Sequence, residues 1–69
     1  MTANEALDNY LSSLGPKERI AKSRDIRALC QISKFVLCFW RRGRTQIPWY
    51  LLDKITEAIG ENIFDDVVK

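Results

Sequence analysis

Residues 33–44 read "SKFVLCFWRRGR". A polar start leads through six consecutive apolar residues, Phe35 to Trp40, into three arginines around a glycine. A helix that spans a bilayer needs about 20 apolar residues, so this run is far too short to cross one. Wound into a helix, it divides. Val36, Leu37 and Trp40 fall on one side, and Phe35, Cys38, Phe39 and Arg42 on the other, with Lys34 at the N-terminal edge. The first set is expected in a core, and the second set must meet solvent or a partner. Ser33 is placed to cap this helix at its start, and Gly43 to stop it.

Upstream, Thr2 and Glu5 have the spacing of a capping box. Ala3, Ala6, Leu7, Tyr10, Leu11 and Leu14 then recur at helical intervals, predicting an amphipathic helix over residues 3–14 that Gly15 and Pro16 end. The stretch "PKERIAKSRDIRALCQ" follows at residues 16–31. Ile26, Leu29 and Cys30 share a helical face there, but Ile20 is off that stripe. The pattern fits one long helix, or a turn followed by a helix capped by Ser23. Gln31 and Ile32 make a short link to the next helix.

Downstream, "TQIP" at residues 45–48 reads as a loop, with Pro48 suited to the first turn of a further helix. Leu51, Leu52, Ile55, Ala58 and Ile59 supply that helix's core face, and Gly60 stops it. Trp40 and Trp49 are both expected in the core. "NIFDDVVK" at residues 62–69 is a short tail with room for one more helical turn, and Asp65 and Asp66 read as its solvated end. No alternating strand pattern, internal repeat or low-complexity tract is present. The expected fold is all-α: a compact bundle of four to five short helices in a single domain over residues 1–69.

Composition narrows the function classes. Hydrophobic residues make up 46% and charged residues 29%, a globular balance and not a disordered one. Histidine is absent, which removes the usual general base and the commonest metal ligand. Cys30 and Cys38 are too few for a zinc site, which takes about four ligands. With no secretory pattern, they read as reduced thiols in a cytoplasmic protein. Neither a phosphate-binding P-loop nor a dinucleotide fingerprint occurs. An enzyme, a cofactor and a small-molecule substrate are therefore not expected.

Charge is unevenly spread. Over residues 17–44, nine cations (Lys17, Arg19, Lys22, Arg24, Arg27, Lys34, Arg41, Arg42 and Arg44) stand against Glu18 and Asp25, a net of +7. The flanking segments are acidic, at −2 and −3. A basic centre between acidic ends suits a polyanionic partner.

The apolar positions Ile26, Cys30, Ile32, Leu37 and Trp40 have the spacing of a helix-turn-helix over about residues 23–42. The stretch "ISKFVLCFWRRGRTQIP" at residues 32–48 resembles the recognition helix and following loop of the lambda-repressor-like, Cro-like DNA-binding family. In that family an apolar residue lies three before a tryptophan, as Leu37 does before Trp40. A W-x-x-G closes the helix, as Trp40 to Gly43 do, and an I-P pair opens the next one, as Ile47 and Pro48 do. The resemblance covers about residues 23–60. Two positions depart from it: Arg27 stands where the family usually has a small residue, and Gln31 where the turn usually has glycine.

The resemblance implies sequence-specific binding of double-stranded DNA by a small bacterial or phage-type transcriptional regulator, with a helix in the major groove and a homodimer on a two-fold site. Ser33 and Lys34 at the helix N-terminus, Arg41, Arg42 and Arg44 at its C-terminal end, and Phe35, Cys38 and Phe39 on its outer face are the expected contact residues. A helix N-terminus favours anions, arginine pairs with phosphate or guanine, and Phe can meet a thymine methyl. An apolar outer face is unusual for a base reader. The alternative is a protein-interaction adaptor with Phe35, Cys38 and Phe39 as its apolar hot spot.

Overall fold

The computed structural model describes residues 1–65, and these form four α-helices and one short 3-10 turn. Helix α1 spans Ala3–Ser12, α2 Pro16–Cys30, α3 Lys34–Arg42 and α4 Leu52–Ile59, with the 3-10 turn at Trp49–Leu51 just before α4. No strand occurs among the described residues, and no helix there is long and apolar enough to cross a membrane. The all-α expectation holds.

The capping box at the start of α1 is complete. Glu5 N–H donates to Thr2 Oγ1 at 3.1 Å, and Thr2 N–H donates to Glu5 Oε1 at 3.1 Å. Two of the amides that a helix start leaves without partners are thereby satisfied. The helix then buries Ala6, Leu7 and Leu11, the i, i+1 and i+5 positions of its apolar face.

Residues 16–30 are one continuous helix, α2. Pro16 opens it, where a missing N–H costs nothing, and Ser23 lies in its interior and not at a cap. Over its whole length it buries only Ile26 and Cys30. Leu29, expected on the same face, is at the exposed edge, and Ile20 is 60% exposed. This helix is held by its packing on α4 more than by a broad apolar face of its own. Lys22 Nζ donates to Ile59 O at 3.4 Å and so places a cation at the negative C-terminal end of α4.

Helix α2 ends at Gln31, which takes the left-handed conformation at φ 55°. Both Gln31 N–H and Ile32 N–H donate to Arg27 O, which closes the helix tightly. Three residues, Gln31 to Ser33, then turn the chain into α3. At the far end of α3, Gly43 performs the same reversal at φ 73° with none of the steric cost, and Arg44 N–H donates back to Phe39 O at 2.9 Å.

The core gathers Leu7, Leu11, Ile26, Cys30, Leu37, Trp40, Ile47, Leu52, Ile55, Ile59 and Phe64. Helix α1 packs on α3, and α2 on α4. Cys30 and Cys38 are both free thiols. Burial pushes the Cys30 thiol above its ordinary range, with the Lys54 charge opposing in part. Val36 and Leu51 are half-buried against the core and not inside it.

One core expectation is corrected. Trp49 is 78% exposed, although an α-helix extended back from Leu52 puts it on the buried stripe. Pro48 is extended, at φ −60° and ψ 135°, and residues 49–51 wind as a tighter 3-10 turn. The change of winding swings Trp49 off the stripe, while Ile47, just before Pro48, is buried in the core. Trp49 and Tyr50 meet edge to face in solvent, with ring centroids 6.0 Å apart.

The tail does not add a helical turn over residues 62–65. Asn62 Oδ1 accepts from Phe64 N–H at 2.9 Å, and the turn directs Phe64 into the core. Asp65 is exposed. Asp66 and the rest of the expected tail lie outside the described residues.

Candidate nucleic-acid interface

Helix α3 is positioned by its caps, its buried side and a set of polar ties. Ser33 Oγ accepts from Val36 N–H at 3.3 Å and defines the start. Leu37 and Trp40 seat the helix in the core. Asn4 Nδ2, near the start of α1, donates to Trp40 O at 2.8 Å and to Thr45 O at 2.7 Å. One amide thus holds both the last turn of α3 and the loop beyond it. Arg41 Nε pairs with Asp8 Oδ1 at 2.8 Å, and Arg41 Nη2 donates to Ser12 Oγ at 3.2 Å.

That pairing separates Arg41 from its neighbours. Its guanidinium braces α3 against α1, so it has less to offer a ligand than the sequence pattern suggests. Lys34, Arg42 and Arg44 are exposed and have no hydrogen-bond or ion-pair partner among the described residues. Phe35 is 63% exposed, and Lys34 Nζ stands 5.5 Å from the centre of its ring. That distance suits a weak cation–π contact at a wet site. Phe39 sits at the exposed edge, and Cys38 is half-buried.

An open groove of about 590 Å³ runs between α2 and α3. Two stripes with the same i, i+4, i+8 spacing line it: Arg19, Ser23 and Arg27 from α2, and Lys34, Cys38 and Arg42 from α3. Each stripe places a cation at either end and a small residue in the middle. Ile20 and Leu37 add apolar surface. Asp8 is the single acid in the lining among the described residues, and Arg41 already engages it.

Of the residues singled out from sequence, the groove brings together Lys34, Cys38, Arg41 and Arg42. Phe35, Phe39 and Arg44 are exposed outside it, and the Ser33 hydroxyl is used as a helix cap. Arg19 and Arg27 were not among the expected contact residues. Their stripe is legible only once residues 16–30 are read as one uninterrupted helix, and the off-stripe Ile20 obscured that continuity. Arg27 is half-buried, and its Nε is shut from solvent without an acceptor among the described residues. Burying a donor unpaired costs about 1–3 kcal/mol, and more when it is charged.

Comparison of the chain with protein-family models, with curated proteins and with solved structures gives no match.

Proposed function

We propose that the protein binds double-stranded DNA in a sequence-specific manner, with α2, the Gln31–Ser33 turn and α3 acting as a helix-turn-helix and the outer face of α3 entering the major groove. The observation that carries this reading is the state of the cations. Lys34, Arg42 and Arg44 are exposed and unpaired along one helix and the loop after it, while acidic side chains of the described residues leave them free. Unpaired cations at helix spacing suit a phosphate backbone. The three-residue link with left-handed Gln31 supports the same reading, since the resembling family turns at that position. The role is that of a small transcriptional regulator, with Arg42 and Lys34 at phosphates or guanine edges and Phe35 and Phe39 against thymine methyls. A homodimer on a two-fold site supplies the affinity a single module lacks.

Binding of the full chain to a random-sequence DNA pool, at two salt concentrations, tests this. Saturable binding that weakens as salt rises is expected, and selection from the pool should enrich a short motif. Absence of binding at low salt removes the reading.

A second reading rests on Phe35, which is more exposed than a reader of polar base edges requires. There the same face docks a protein, with Phe35, Cys38 and Phe39 as its apolar centre. DNA binding that is lost in Lys34 and Arg42 variants but kept in a Phe35 variant separates the phosphate contacts from an apolar protein contact.

A further inference from the structure

The groove between α2 and α3 has features that a flat DNA-reading face does not need. Arg27 contributes a half-buried side chain to the lining. The lining leaves an open channel between the two helices. Four cations around that channel, Arg19, Arg27, Lys34 and Arg42, have no ion-pair partner among the described residues. The one acid in the lining among the described residues, Asp8, is paired with Arg41 at 2.8 Å. Arg27 Nε is shut from solvent, and the Nη groups, which stay accessible and have no acceptor among the described residues, are the donors that the guanidinium presents to an arriving anion. Between the cations lie Ile20, Leu37 and Cys38. The groove thus offers charge for an anion and apolar surface for the body that carries it. Its volume of about 590 Å³ is that of a small-ligand site, for which the usual range is about 300–1,000 Å³.

We propose that this groove binds a small phosphate ester, its phosphate held by Arg27 with Arg42 and Lys34, and its apolar part lying on Ile20 and Leu37. Arginine's planar fork matches phosphate oxygens in a bidentate manner, which lysine's single ammonium does not. Arg27 is recessed between two helices, where a small ligand reaches it more readily than a stiff duplex does. This site does not rest on the DNA reading. If both hold, the two ligands exclude one another, because Lys34 and Arg42 serve both. The phosphate ester then acts as a competitive regulator of the DNA-binding face.

The test uses the full chain and phenyl phosphate, which joins a phosphate to an apolar ring, with inorganic phosphate and phenol as its separated halves. Titrations are followed by two-dimensional NMR of backbone amides and arginine Nε–H groups, with ionic strength held constant by chloride. Saturable shifts of the Arg27 Nε–H and of amides along Arg19–Arg27 and Lys34–Arg42 are expected, with phenyl phosphate binding more tightly than either half. Arg27→Met should weaken binding by about tenfold or more, the loss of a charge-assisted pair. Arg27→Lys, which keeps the charge and the stem but removes the fork, should also bind more weakly than the native chain. Arg24→Met, exposed on the same helix outside the lining, should bind as the native chain does, and each variant's spectrum reports whether its fold is kept. Shifts that stay linear with concentration, or that Arg27→Met and Arg27→Lys leave unchanged, overturn the site. A duplex that loses affinity on Arg27→Met, while neither phosphate saturates, also overturns it and assigns the groove to the DNA backbone. Saturation by phenyl phosphate in a chain that binds no DNA sinks the DNA reading and leaves this one standing.

Discussion

Arg41 Nε lies 2.8 Å from Asp8 Oδ1 and joins the end of α3 to the middle of α1. Both side chains are partly exposed, at 29% and 41%, so the pair is screened by solvent and contributes well under the strength of a buried one. Its main consequence is assignment. Of the three arginines around Gly43, one is an internal brace and two have no partner among the described residues.

Replacing Asp8 by Asn should therefore cost less than about 1 kcal/mol in stability. It should also weaken the hold on the Arg41 guanidinium and remove the charge of the one acid that lines the α2–α3 groove among the described residues. DNA affinity at low salt is expected to rise. Denaturant melts and binding isotherms of the variant and the native chain measure both effects, and an unchanged or weaker affinity would show that Arg41 acts only as a brace.

Trp40→Ala and Trp49→Ala should part company. Trp40 is 3% exposed beside Leu37, and truncating an aromatic in a core costs roughly 3–5 kcal/mol. A chain this short holds little in reserve, so loss of cooperative melting is expected. Trp49 stands in solvent, and its truncation should shift the melting temperature little. Equal losses from the two variants would put Trp49 back into the core.

Gln31→Gly should stabilise the fold. A side chain in the left-handed region costs about 1–2 kcal/mol, and glycine's extra freedom in the unfolded chain returns part of that. A net gain of about 0.5–1 kcal/mol is expected, which in a domain of this size raises the melting temperature by a few degrees. A lower melting temperature would mean that Gln31 contributes something its backbone angle conceals.

The capping box gives stability a carboxylate signature. Hydrogen bonds from the Thr2 backbone and hydroxyl hold the Glu5 carboxyl below its ordinary value of 4.5. A depressed folded value favours the ionised form in the native state, so the contribution is complete above the unfolded value and disappears as pH falls through the folded one. Glu5→Gln should reduce stability at neutral pH and flatten its decline below about pH 4.5, the unfolded value. Parallel stability curves for the two chains across that range would contradict this.

Arg42→Ala and Phe35→Ala should leave the melt unchanged and alter DNA binding in different ways. If Arg42 meets a phosphate, its loss weakens all sequences alike and reduces the salt slope by about 0.9. If it meets a guanine edge, discrimination falls by about 1–3 kcal/mol at one position. Phe35 carries no charge, so its loss should lower discrimination and spare the salt slope. Native binding by both variants, on selected and on random DNA, would remove the outer face of α3 as the reading surface.

Local chemistry was enough to define most helix ends. Thr2 with Glu5, Pro16, Ser33, Gly43 and Gly60 each act within one turn of their own position, so capping and left-handed closure depend on near neighbours alone. The buried and exposed sides of α3 were legible for the same reason, because the 3.6-residue period projects Leu37 and Trp40 to one side and Phe35 and Arg42 to the other. Four features waited on the tertiary fold. Continuity of α2 through Ser23 depends on its seat against α4, because its own apolar stripe is too sparse to announce it. Exposure of Trp49 goes with the 3-10 turn that follows extended Pro48, beside the buried Ile47. Capture of Arg41 by Asp8 joins residues 33 apart in sequence, a distance across which no periodicity carries information. The facing stripes of Arg19, Ser23, Arg27 and Lys34, Cys38, Arg42 exist as a groove only because the turn at Gln31 lays one helix beside the other.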